Sequence, residues 1–226
     1  MTGASSGIGK EISLRLLSLG YTVIGISRTV TDKEFNHENF ISLQCDLSNE
    51  KSTITLCNKL IKEEIYMLVN CAGIGRFEPH EELSIKTITE MVYLNLTAPM
   101  LLTNVCLKSL KKNDGYLINI SSIEAIKTSK FAGVYSATKS GLKAFTDSLF
   151  EETRKSGLSV TNINPDMTES SFYDELRFDV SQKDDEKLLS KDIADAVEHI
   201  LSMRKGAVVS DYTIRSLNFG ILKKKL

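Results

Sequence analysis

Thr2-Gly3-Ala4-Ser5-Ser6-Gly7-Ile8-Gly9 runs without a break into Lys10-Glu11-Ile12-Ser13-Leu14-Arg15-Leu16-Leu17. Glycines permit a tight turn and a close backbone approach. The helix that follows would present free N–H groups and the positive end of its dipole to a phosphate. The spacing is Gly-x-x-x-Gly-x-Gly, not the commoner G-x-G-x-x-G. The same residues would also make a plain glycine-rich helix start, since Gly and Ser suit turns and caps. A dinucleotide-binding sheet needs a strand before such a loop. Only Met1 and Thr2 precede it here, so the first strand is expected to be missing or truncated.

Outward from this loop, strand-like apolar runs alternate with helical patterns. Tyr21–Ser27, Phe40–Cys45, Ile65–Asn70, Tyr116–Ser121, Leu158–Asn164 and Ala207–Ile214 read as strands. Several are continuously apolar, as strands covered on both faces are. Gly7–Leu19, Glu50–Glu64, Ser84–Lys112, Phe131–Ser156 and Ser190–Met203 read as helices, the last with an N-cap at Ser190. This alternation predicts an α/β fold of three layers with a doubly wound, mainly parallel sheet, in one domain over 1–226. The long polar, aromatic-spotted connection 168–187 is either a flap over a site or a surface excursion.

The chain has 226 residues, 42% of them hydrophobic and 25% charged, which suffices for a full core. A net charge of −1 gives no global attraction to nucleic acid or to an anionic membrane. No apolar run approaches the roughly 20 residues of a spanning helix. Cys45, Cys57, Cys71 and Cys106 are scattered, without a C-x-x-C pair. Reduced packing thiols in a cytoplasmic protein are expected of them, and no metal site. The run Lys223-Lys224-Lys225 reads as a solvated tail.

Tyr135-Ser136-Ala137-Thr138-Lys139 sets a phenol and an ammonium one helical turn apart on one face. A nearby cation favours the phenolate and draws its pKa toward neutrality. Alone, the pair would equally be a buried Tyr before a solvated Lys. In combination with the glycine loop, the residues resemble the short-chain dehydrogenase/reductase family over Thr2 to about Arg215. Asp46-Leu47 resembles the acidic pair that meets the adenine. Asn70-Cys71-Ala72-Gly73 resembles Asn-Asn-Ala-Gly, with Cys71 for the second Asn. Asn95 matches the helix Asn of a proton relay, and Ser122 lies where the family's catalytic Ser does.

The resemblance implies a Rossmann-like fold and hydride transfer between a nicotinamide and a small-molecule carbonyl or alcohol. Asn95, Ser122, Tyr135 and Lys139 would be catalytic. Gly3, Ser5, Ser6, Gly7, Ile8, Gly9, Arg28, Asp46, Leu47, Asn70, Ala72, Gly73, Tyr135, Lys139, Pro165 and Thr168 would hold the cofactor. Ser27 stands where an NAD-binding acid is expected and Arg28 follows it, which favours NADP(H) over NAD(H). Asp166 replaces the glycine usual after Pro165. It either keeps the turn or meets a cationic group of the substrate. Thr168 and Ser170 are both candidates for the carboxamide contact, and Glu124, Phe172, Tyr173 and Phe178 for the pocket wall. The helices Ser84–Lys112 and Phe131–Ser156 resemble those through which family members form dimers or tetramers. The other reading is a dinucleotide-binding regulatory protein with little turnover. A redox-neutral isomerase or dehydratase on the same fold is a third.

Overall fold

The computed structural model describes residues 1–224, so Lys225 lies outside the described residues. Its first half comprises α1 (Gly7–Ser18), β1 (Val23–Ser27), α2 (Asp32–Phe35), β2 (Phe40–Gln44), α3 (Glu50–Leu60), β3 (Met67–Asn70), α4 (Ile85–Val92) and α5 (Ala98–Lys112). Then come β4 (Tyr116–Ile120), α6 (Gly133–Thr153), β5 (Ser159–Pro165), β6 (Thr168–Glu169) and β7 (Phe178–Val180). The chain closes with β8 (Leu188–Leu189), α7 (Ser190–Ser202), β9 (Asp211–Ile214) and β10 (Ile221–Lys223).

β1 pairs with β2, and β3-β4-β5-β9 form a second run, all in parallel register. Met1–Gly3 joins the two. Thr2 N–H donates to the Val69 carbonyl at 3.0 Å, while Ile26 N–H donates to Met1 and Gly3 N–H to Ile26, both at 2.8 Å. The expected gap is therefore bridged by a stub, with one parallel bridge, Thr2 to Ile26. The stub spans the sheet where the glycine loop departs.

Alternation along the strands builds two cores, as the period of two requires. Val69, Ile118 and Ile163 face Ile12 and Leu16 of α1 and Ile193 and Val197 of α7. Leu68, Leu117 and Val160 face Leu56 of α3, Leu102 of α5 and Leu149 of α6. Each such side chain contributes about 1.5–3 kcal/mol by leaving water. On this second face, Asn70, Asn119, Asn162 and Asp211 stand opposite one another across four strands. Asn70 donates to Asn119 Oδ1 at 2.9 Å, Asn119 to Thr146 Oγ1 at 2.8 Å, and Asn162 to Asp211 Oδ1 at 3.0 Å. This ladder pins the register just below the strand ends that carry the site.

Four local expectations change. The helix expected over Ser84–Lys112 is broken by a π-helical turn at Tyr93–Thr97. Pro99, in the first turn of α5, has no N–H to return to the Asn95 carbonyl, so the ladder cannot run straight through. Ser190 does not cap α7; its hydroxyl donates to the Glu169 carbonyl at 2.8 Å, and Asp192 accepts from Leu189 N–H. The connection 168–187 holds the short strands β6 and β7 rather than irregular chain alone. Lys223 and Lys224 are no free tail. Lys223 lies in β10, antiparallel to β7, and the Lys224 ammonium meets the Tyr173 carbonyl and Asp179.

Candidate active site

The glycine loop leaves the stub and turns into α1. A Cβ on Gly9 would lie 2.1 Å from the Gly3 carbonyl oxygen, so only glycine allows this closure. Gly7 takes φ of +51°. Ser6, at the start of α1, turns its hydroxyl to Ser171 at 2.9 Å instead of capping the helix. The start of α1 is thus an uncapped, backbone-lined cradle, which fits a phosphate group. Thr2 Oγ1 accepts from the N–H groups of Cys71 and Ala72 at 2.9 and 3.1 Å. That ties the Ala72-Gly73 loop beside Gly3. Ile8 packs toward the α1/α7 core, and Ser5 is half-buried.

At the far side of the cradle, Ser27 Oγ accepts from Thr29 and Val30 N–H, capping the turn after β1. Arg28 is exposed, and among the described residues it makes no ion pair. Asp46 Oδ1 accepts from Ser48 N–H at 3.0 Å and from the Ser48 hydroxyl at 2.7 Å. The Leu47 side chain is core, and Asn70 Nδ2 donates into the asparagine ladder.

Ser122 lies two residues beyond the end of β4, and Tyr135 and Lys139 share one face of α6. Two bonds lock these elements: the Ser121 hydroxyl donates to the Lys139 carbonyl, and the Lys139 ammonium to the Ile120 carbonyl, each at 3.0 Å. The Lys139 ammonium lies 5.8 Å from the centre of the Tyr135 ring. Burial pushes the phenol of Tyr135 above its ordinary range, while the Ser122 hydroxyl draws it back. Burial likewise lowers the Lys139 ammonium to about 8, with the neighbouring Cys71 opposing. Desolvation dominates the Tyr135 shift, and the expected downward pull of Lys139 is not among its sources. Burial holds the Cys71 thiol at about 12, unreactive at neutral pH.

Asn95 is fully buried and clamps the next loop. Its Oδ1 accepts from Ile74 N–H at 2.9 Å and its Nδ2 donates to the Ile74 carbonyl at 2.8 Å. Pro99 offers the Asn95 main-chain carbonyl no α-helical N–H. Pro99 was not singled out by motif; a proline four residues after Asn95 is the signal that could have found it.

On the substrate side, Pro165 ends β5. Asp166 keeps the turn with Oδ1 accepting from Met167 N–H, and its Oδ2 accepts from Arg215 Nε at 3.0 Å. Arg215 thus takes the carboxylate that could have met a substrate amine. Thr168 donates to the Asp166 carbonyl at 2.9 Å and Ser170 to the Thr168 carbonyl at 3.3 Å. Glu124 is buried, accepting from Ser129 N–H and from the hydroxyls of Ser129 and Ser136. Phe172, Tyr173 and Phe178 form a cluster that includes Phe77, a residue the sequence reading missed. All four cysteines are free. Among the described residues no three His, Cys, Asp or Glu converge as for a metal, and no helix is long and apolar enough to cross a membrane.

Comparison with known proteins gives this arrangement a context. An oxidoreductase of Staphylococcus haemolyticus is 28% identical over 223 residues, covering 95% of each chain. An alcohol dehydrogenase of the archaeon Thermococcus sibiricus, complexed with 5-hydroxy-NADP, superposes with a TM-score of 0.86 at 24% identity, over 96% of this chain and 95% of that one. A 4-hydroxyisoleucine dehydrogenase complexed with NADH and succinate superposes with a TM-score of 0.84 at 24% identity, over 96% of each. The family model of the short chain dehydrogenases matches residues 1–181. With its parallel sheet and glycine cradle, the chain belongs to that family of NAD(P)-dependent oxidoreductases.

Proposed function

We propose that this chain is an NADP(H)-dependent oxidoreductase that moves a hydride between the nicotinamide and a carbonyl or secondary alcohol of a small metabolite, the whole chain acting as one catalytic domain in the cytoplasm. The observation that carries this reading is the Ser122, Tyr135 and Lys139 set, locked by the two bonds between β4 and α6. Bound cofactor supplies or accepts the hydride. Tyr135, neutral because buried, donates its proton to the carbonyl oxygen as negative charge develops there, and takes the alcohol proton in reverse. Ser122 Oγ steadies that oxygen by a hydrogen bond. Lys139 orients the nicotinamide ribose and returns a proton to Tyr135, and the Asn95 carbonyl holds the outer end of that relay.

The uncapped start of α1, with Gly3, Ser5, Ser6, Gly7, Ile8 and Gly9, would seat the pyrophosphate. Arg28 would pair with a ribose 2′-phosphate through its planar fork, and Ser27 offers no carboxylate to repel it. Asp46 and Leu47 would border the adenine, Ala72 and Gly73 the ribose, and Pro165 and Thr168 the nicotinamide. Self-association through α4 and α6 fits Ile85, 82% exposed, and a cleft of about 460 Å³ beside it, lined by Ile88, Val92, Leu96, Val134 and Ala137. A homodimer or homotetramer would cover that face.

The test is a panel of carbonyl compounds with NADPH and NADH, followed by nicotinamide absorbance, on wild type and Tyr135→Phe. Turnover by wild type that collapses in Tyr135→Phe is expected. Equal rates in the two would remove Tyr135 from the role. Tight cofactor binding with no turnover on the panel would favour the regulatory reading instead.

A further inference from the structure

Tyr135 is only 7% exposed, and what covers it is a closed circuit of aromatic rings. Its ring centre lies 5.2 Å from Phe77 and 5.8 Å from Phe172, tilted by 53° and 54°. Phe77 meets Phe178 edge-on at 5.2 Å, and Phe172 meets Tyr173 edge-on at 5.2 Å. Tyr173 and Phe178, 5.9 Å apart, close the circuit. Gly75 makes room for it: a Cβ there would fall 2.6 Å from Phe172 and 2.8 Å from Phe77. Behind the rings, β10 pairs with β7 at Phe178, and Lys224 holds the Tyr173 carbonyl.

Apart from Lys139, behind the Tyr135 ring, and Lys130, over Phe131, the charges around this wall are matched or negative. Arg76 pairs with Glu175 and donates to the Gly75 carbonyl, and Arg177 faces Glu78 at 4.0 Å. Glu124 lies two residues from Ser122. A cleft of about 430 Å³ adjoins the wall through Glu78, next to Phe77, and through Ser129, the partner of Glu124; Glu81 adds a second carboxylate to its lining. A substrate carboxylate seated against the rings would lie near the carboxylates of Glu78, Glu81 and Glu124. A neutral planar group would instead gain ring contacts in offset or edge-on geometry.

We propose that Phe77 and Phe172 set the substrate class: the site takes a neutral carbonyl compound bearing a flat apolar group, seated against these two rings, and selects against short oxo acids. This rests on the oxidoreductase reading above. The experiment measures kcat/KM for benzaldehyde and for acetoacetate with NADPH, on wild type, Phe77→Ala, Phe172→Ala and the milder Phe172→Leu. Thermal shifts with benzyl alcohol are read on the same proteins. Wild type should favour benzaldehyde by at least about tenfold. The alanine variants should lose about tenfold on benzaldehyde, chiefly in KM, and change less than about threefold on acetoacetate. Phe172→Leu, which keeps apolar volume at a partly exposed position, should lose about threefold on benzaldehyde alone. A preference for acetoacetate, or equal losses on both compounds, overturns the proposal. If neither compound turns over but benzyl alcohol stabilises wild type and not Phe172→Leu, the aryl site stands and the oxidoreductase reading falls. No turnover and no shift overturns the aryl site itself.

Discussion

Lys139→Met replaces a buried ammonium by an apolar chain of similar length, and the structure fixes what this should do to stability. Lys139 is 4% exposed and its ammonium donates to the Ile120 carbonyl at 3.0 Å. Burial lowers its pKa from 10.5 to about 8. A drop of that size costs the fold about 3 kcal/mol while the amine is charged. The sign is fixed by proton uptake. Between the folded pKa and 10.5 the unfolded chain binds more protons, so wild type gains stability as pH rises through that window, and the full cost is present below about pH 8. Lys139→Met removes this term but leaves the Ile120 carbonyl without its donor, which costs about 1–3 kcal/mol. At pH 7 the variant should therefore match wild type or exceed it by up to about 2 kcal/mol. From pH 7 to pH 10 the stability of wild type relative to the variant should rise by about 2.5 kcal/mol. Urea unfolding of both proteins at the two pH values measures this. A difference that stays constant with pH, or falls, would refute the claim that the charge is held against its own desolvation. Activity should be lost in the variant, since the amine is retained for chemistry rather than for stability.

Arg28→Ala should weaken NADPH about 10- to 100-fold, the loss of a charge-assisted fork, and leave NADH within about threefold by calorimetry. Unchanged preference would remove Arg28 from the phosphate site. Gly9→Ala must push a Cβ against the Gly3 carbonyl 2.1 Å away, so a loss of more than about 2 kcal/mol is expected, with cofactor binding weakened in whatever remains folded. A Tm within a degree of wild type would show that the loop closes otherwise. Pro99→Ala restores an N–H opposite the Asn95 carbonyl; stability should hold or rise while kcat falls about tenfold at unchanged KM. Equal kcat would exclude that carbonyl from the relay.

The main sheet and its helices were legible because burial on two faces writes continuous apolar runs and a helical period into the sequence. The short strands were not. β6, β7, β8 and β10 hold two or three residues each, and their pairing joins segments far apart in the chain, so no local period marks them. The break in the helix expected over Ser84–Lys112 is written in Pro99, yet the apolar spacing continues across it and hides it. At the site, spacing alone set Tyr135 and Lys139 on one helix face, and the family resemblance added Ser122. That Asp166 keeps the turn was one of its two readings, but its pairing with Arg215, past a different strand end, was not legible. Phe77 was invisible for the same reason: only folding brings it against Phe172 and Tyr135. The direction of the Tyr135 shift also needed the fold, since the spacing shows the nearby cation but not the burial that raises the phenol.

The central claim is hydride transfer with Tyr135 as the proton donor, and tracing the hydride tests it most directly. NADPH carrying deuterium at the transferable position is incubated with an accepted carbonyl compound, and the alcohol is analysed by mass spectrometry. The account predicts one deuterium on the carbinol carbon, with its appearance slowed at least about 100-fold in Tyr135→Phe while NADPH affinity stays within about threefold. Product without deuterium, or labelled product formed as fast by Tyr135→Phe, would contradict it.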